Sequence, residues 1–136
     1  MPPLKTYDLF ISHAWKYNDD YYRLVNLLNG AANFKWRNYS VPEHDKFGKM
    51  TKTELIAELD GQLKPVNAVL IIAGMYVNHS DWILKEIEIA QKYAKPIIGL
   101  IPRGAEVTPK VVKDAAKEMV GWTTDSIVAA VRKHAL

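Results

Sequence analysis

Ala68-Val69-Leu70-Ile71-Ile72-Ala73 is apolar without interruption. A strand with one wet face alternates apolar and polar residues; a strand with no polar face must be covered on both sides. A second such run, Pro96 to Ile101, begins with a proline, tolerated at a strand start because no ladder N–H is needed there. Two doubly covered strands require helices above and below one sheet, and the rest of the chain supplies helical spacing between short apolar runs.

The pattern predicts a first strand at Tyr7 to Ser12, then a helix with Tyr21, Leu24, Val25 and Leu28 on one face. Asn18 is placed to cap that helix, Asp19-Asp20 oppose its dipole, and Asn29-Gly30 end it. A strand is expected at Phe34 to Tyr39 and a helix from Thr51 to Leu63, with Ile56, Leu59 and Leu63 inward. After the strand at Val66 to Ala73 come a helix from Asp81 to Ala94 and the strand at Pro96 to Ile101. The chain closes with a short helix at Lys110 to Ala116, an edge strand at Met119-Val120, and a last helix capped by Thr123-Thr124-Asp125 and reaching His134. Right-handed crossovers make this a three-layer α/β/α sandwich. The expected sheet is five-stranded and parallel, in the flavodoxin-like order 2-1-3-4-5, with residues 1–136 as a single domain.

Composition narrows the chemistry. The chain has no cysteine, which excludes disulfides, thiolate metal sites and a cysteine nucleophile and fits a reducing, cytoplasmic setting. No run of about 18 apolar residues exists to span a membrane, and Met1 to Lys5 lack a signal peptide's apolar stretch. A net charge of +3 is too small to argue for nucleic acid. The histidines at 13, 44, 79 and 134 have no ligand spacing, so no metal site is expected.

Ligands of such sheets bind beyond the carboxyl ends of the strands, where the strand order reverses, here between the first and third strands. Ser12-His13-Ala14-Trp15 and Gly74-Met75-Tyr76-Val77-Asn78-His79 leave those ends. The helix after the third strand starts at the same edge, with Ser80 as its expected cap. At about 100° per residue, Ile83, Ile87, Ala90 and Ala94 form its buried stripe. Glu86 falls about 60° and Trp82 about 100° to one side, which places this pair at the border of core and solvent. Two readings follow: a half-buried carboxylate beside an aromatic wall at a crevice, or an ordinary flank glutamate paired with Lys85 or Lys92.

Other ligands of this architecture are excluded by residue type. Ser12-His13-Ala14-Trp15-Lys16 lacks the glycines and hydroxyls of a flavin phosphate loop. The third strand ends Ala73-Gly74-Met75, without a phosphate-accepting aspartate. Asp19-Asp20 sits in a helix start rather than in a carboxylate cluster for a metal nuclease.

Tyr7-Asp8-Leu9-Phe10-Ile11-Ser12 resembles the opening strand of TIR domains. Ser80-Asp81-Trp82-Ile83-Leu84-Lys85-Glu86-Ile87 resembles the segment, serine-x-tryptophan-xxx-glutamate, that carries the catalytic glutamate of TIR-type NAD-cleaving enzymes. Val69 to Asn78 before it and Lys95 to Leu100 after it match the same layout. The chain is similar to the TIR-like family of bacteria and archaea, which includes the TIR proteins of the Thoeris anti-phage defence system. The loop Ser40 to Gly48 departs from animal and plant TIR domains, lacking their Arg-Asp and Pro-Gly pairs.

The resemblance implies NAD+ as substrate, with no cofactor, and Glu86 as the catalytic residue. It implies a linear or cyclic ADP-ribose product acting as a signal to a separate effector protein, and self-association with other TIR domains. The expected substrate-binding residues are Ser12, for the pyrophosphate; His13, for phosphate or ribose; Trp82 and Tyr76, for stacking; and Asp45, closing from the loop after the second strand. For His13 and Trp82 a purely structural role stands beside the functional one. The alternative for the whole chain is a non-enzymatic adaptor that binds other proteins.

Overall fold

The computed structural model describes residues 6–12, 19–39, 52–72, 80–101 and 110–135. In chain order the elements are β1 (Thr6–Ser12), α1 (Asp19–Asn29), β2 (Lys35–Asn38), α2 (Lys52–Leu63), β3 (Ala68–Ile72), α3 (Ser80–Lys92), β4 (Ile97–Ile101), α4 (Lys110–Ala115), β5 (Glu118–Gly121) and α5 (Thr124–His134). All four strand pairings are parallel and the order is β2-β1-β3-β4-β5, as the sequence predicts.

Burial explains the order. Every residue of β3 is at 0% exposure, which only a central strand with helices on both faces achieves. β2 and β5 carry Lys35, Arg37 and Glu118 and lie at the edges. β1 and β3 are joined ahead of their ladder by Asn67, whose N–H donates to the Asp8 carbonyl at 2.6 Å while its Oδ1 accepts from the Asp8 N–H at 2.8 Å.

Contacts of named residues identify the faces. On one, the Trp36 indole donates to Asn29 at the end of α1 (2.9 Å), and Arg132 of α5 lies over the Phe34 ring and donates to the Asn33 carbonyl (2.8 Å). On the other, a Cβ on Gly99 would meet Val112 of α4 at 3.4 Å and Met119 at 2.1 Å, so glycine makes the room that the Met119 thioether occupies. α1 and α5 therefore cover one face, and α2, α3 and α4 the other, with α3 between α2 and α4. The register puts Phe10, Val69, Ile71 and Ile97 on the same face as Gly99, so the floor beneath α2 and α3 is apolar.

Most predicted boundaries hold to within a residue or two. β4 starts at Ile97 rather than Pro96, whose carbonyl accepts from the Val69 N–H at 2.9 Å. α5 is capped by Thr123, whose Oγ1 accepts from the Ser126 N–H at 3.1 Å. The expected cap Asn18 lies outside the described residues. The end of α3 corrects the sequence reading. Ala94 is not part of a buried stripe: it is exposed, beyond the helix, with φ of 54°. The Lys95 N–H donates to the Ala90 carbonyl (2.8 Å) and the Ala94 N–H to Gln91 (3.1 Å), the paired bonds of a Schellman stop with Ala94 in the left-handed position. Trp36 and Trp122 pack half-buried against the core; Trp15 lies outside the described residues.

Candidate functional site

The site is built on α3. A helix that follows a parallel strand runs back antiparallel to it, so α3 starts at the carboxyl edge of the sheet. It starts at Ser80 itself, one residue earlier than a Ser80 cap requires. Glu86 is the seventh of its thirteen residues, about 9 Å along the axis.

Glu86 is 1% exposed, the one buried charged residue among those described. The border position expected for it is thus too shallow. Ile89 is buried as well (5%), and with Ala90 and Ile87 it makes a buried arc of about 160° in which Glu86 lies inside, not at the side. Ile89 is buried because α3 packs against α2 as well as the sheet, which widens the covered face beyond one stripe. The flank-glutamate alternative fails on its partners. Lys85 pairs with Glu88 at 3.0 Å and Lys92 with Asp60 at 2.9 Å. The Oε2 atom of Glu86 is enclosed and accepts no hydrogen bond among the described residues, while the residue is engaged in other interactions.

The direction in which Glu86 faces follows from Tyr93. Seven residues on, it lies about 20° from Glu86 on the helical wheel, and its hydroxyl donates to Asp60 of α2 at 2.5 Å. This side of α3 therefore turns toward α2. α2 crosses from β2 to β3, so the two helices flank the boundary of β1 and β3, where the strand order reverses. A carboxylate buried there stands over an apolar floor, beside the strand-order reversal beyond whose carboxyl ends open α/β sheets take their ligands. Removing a carboxylate from water is costly, and such costs concentrate at functional sites.

Of the other expected site residues, Ser12 closes β1 with its backbone opposite Ile71, and Trp82 lies in the first turn of α3. Both main chains are at the carboxyl side of the sheet. His13, Asp45 and Tyr76 lie outside the described residues.

The sequence reading missed Asp60. Its carboxylate accepts from both Tyr93 and Lys92, tying the end of α3 to α2. The Tyr93 hydrogen bond, with Lys92 second, holds the Asp60 carboxyl below the usual carboxylate range. The same bond, helped by burial, pushes the Tyr93 hydroxyl up, and Asp60 also raises Lys92. No local sequence signal pointed to Asp60, because its partners lie 32 and 33 residues away.

A hollow of about 540 Å³ lies on the opposite flank of α3, lined by Leu84, Ile87, Glu88 and Gln91 with Lys110, Val111, Asp114 and Ala115 of α4. Glu86 does not line it. Among the described residues no three His, Cys, Asp or Glu side chains are grouped to hold a metal ion, and no helix is long and apolar enough to cross a membrane.

The family described as Thoeris protein ThsB, TIR-like domain, matches residues 10–107, well over half of the chain. The chain belongs to this family. The match runs from the end of β1 through β4 and includes all of α3. No curated protein matches this TIR-like chain. Among solved structures it is similar to one described as the crystal structure of a prokaryotic SEFIR domain, at 15% identity and a TM-score of 0.50, over 93% of this chain and 94% of that one. At that identity the likeness carries the fold alone. The α/β fold with strand order 2-1-3-4-5 and the membership of the TIR-like family agree with what the sequence motifs imply.

Proposed function

We propose that this TIR-like domain cleaves the bond between ribose and nicotinamide in NAD+, with Glu86 as the catalytic residue. The observation that carries the proposal is the burial of the Glu86 carboxyl on the side of α3 that faces the β1–β3 boundary. Family membership supports it, because the motif matched by Ser80, Trp82 and Glu86 carries the catalytic glutamate in TIR-type NAD-cleaving enzymes.

The chemistry suits one carboxylate. The C–N bond breaks with its electron pair going to nicotinamide, which leaves neutral from a pyridinium and needs no general acid. Positive charge develops on the ribose as an oxocarbenium ion, and a carboxylate held against it stabilises that charge and can accept from the ribose hydroxyls. Away from bulk water the attraction is stronger than in solution. Attack by water, with loss of a proton, gives ADP-ribose. Attack by a nucleophile of the same molecule gives a cyclic product. NAD+ is consumed as a substrate and no cofactor enters the step. Ser12, His13, Asp45, Tyr76 and Trp82 are the proposed contacts to the dinucleotide.

The product is proposed to act as a nucleotide signal to a separate effector protein in anti-phage defence, the setting that the Thoeris family name carries. TIR-like domains commonly self-associate, and the cytoplasm is the proposed setting. The experiment is incubation with NAD+ over a range of protein concentrations, followed by mass spectrometry. Nicotinamide together with ADP-ribose, or with a cyclic product lighter by one water, is the expected result. Self-association without any nicotinamide across the range would replace the enzyme with the adaptor.

A further inference from the structure

We infer that Asp60 is a positioning residue for Glu86, acting through Tyr93 and the last turn of α3. This rests on the proposed role of Glu86. Tyr93 shares a helical stripe with Glu86 two turns away, and its hydroxyl donates to Asp60 at 2.5 Å. Lys92, the last residue of α3, donates to the other oxygen of the same carboxylate at 2.9 Å. The last residue of α3 and the one that follows it are thus held by one side chain of α2.

The geometry makes this a control of rotation as well as attachment. Ile87, Ile89 and Ala90 seat α3 by apolar contact, which is non-directional and tolerates small turns about the helix axis. Hydrogen bonds are directional, and a carboxylate gripped from two adjacent positions restricts rotation of the helix end. The Asp60 pair of bonds is a polar side-chain link between the end of α3 and α2. The Schellman stop at Ala94 fixes the chain immediately beyond, so the grip acts on a helix end that is itself defined. A turn of α3 by about 10° moves a side-chain tip about 6 Å from the axis by roughly 1 Å, and misplacement of that size costs about a hundredfold in rate when a reacting group must be aligned.

The test compares Asp60→Asn and Tyr93→Phe with Thr123→Ala, which loses the cap of α5 on the opposite face of the sheet and serves as a control for lost stability. Two readouts are taken: hydrogen exchange of the α3 amides from Lys85 to Ile89, which needs no substrate, and steady-state NAD+ cleavage. The expectation is exchange at least fivefold faster in Asp60→Asn and Tyr93→Phe than in wild type and Thr123→Ala. Their kcat falls about tenfold with KM for NAD+ within twofold, and the double variant is no worse than the more impaired single one. Unchanged α3 exchange, or a kcat no lower than that of Thr123→Ala, overturns the inference. If wild type releases no nicotinamide, the role of Glu86 in NAD+ cleavage falls, while the exchange measurement still decides whether Asp60 sets the helix.

Discussion

Replacing Ala94 by glycine should stabilise the protein, although glycine is a poor helix residue. Ala94 stands one step past the end of α3 with φ of 54°, where an L side chain brings its Cβ too close to a carbonyl oxygen, at a cost of about 1–2 kcal/mol. Glycine removes that strain but carries about 0.5–1 kcal/mol of extra chain entropy in the unfolded state. The Ala94 side chain is exposed, so no core packing is lost, and both Schellman bonds are made by main-chain atoms. The net gain is about 0.5–1 kcal/mol, or about 2–5 °C in Tm for a chain of this size. Ala94→Val, which puts a branched side chain in the same conformation, should lose about 1 kcal/mol or more. Urea unfolding of the three proteins, with an unchanged slope as the check on two-state behaviour, measures both differences. If glycine destabilises and valine is neutral, the helix does not end in a left-handed residue.

Gly99→Val should cost about 1–3 kcal/mol by overpacking against Met119, and Met119→Ala in the same chain should recover part of it, read by thermal melts. Asp60→Asn should remove about 1–2 kcal/mol at neutral pH, the scale of a half-exposed charged hydrogen bond. Because the folded Asp60 carboxyl lies below its ordinary value, its contribution is complete above about pH 5 and lost as pH falls through the lowered folded value. The wild-type minus Asp60→Asn difference should therefore be flat near neutrality and shrink in strong acid. Tyr93 and Lys92 are shifted up, so their contributions persist below about pH 10 and are lost above it, which the Tyr93→Phe difference should trace at alkaline pH.

The parallel sheet was legible because burial on both faces leaves a signal that needs no partner to interpret: β3 and β4 are apolar at every position except Gly99. Right-handed connections leave more than one strand order open, and the flavodoxin-like order chosen as the economical one is the order the sheet has. The end of α3 was not legible, because alanine at position 94 continues the apolar period and no glycine marks the stop. The depth of Glu86 was underestimated for a related reason. A wheel drawn for one packing partner gives one stripe, but α3 has the sheet below and α2 beside it, and Ile89 shows that the second contact widens the buried arc past Glu86. Asp60 was invisible because its partners are 32 and 33 residues away on another helix.

The most direct measurement of the central claim is nicotinamide release from NAD+ by wild type and by Glu86→Gln at matched concentration, with circular dichroism and melting to show that both are folded. The amide keeps the shape of the side chain and removes its charge. Wild type should release nicotinamide and the variant should lose at least about a hundredfold, the scale of one electrostatic group in a transition state. Equal release by both proteins would contradict that claim.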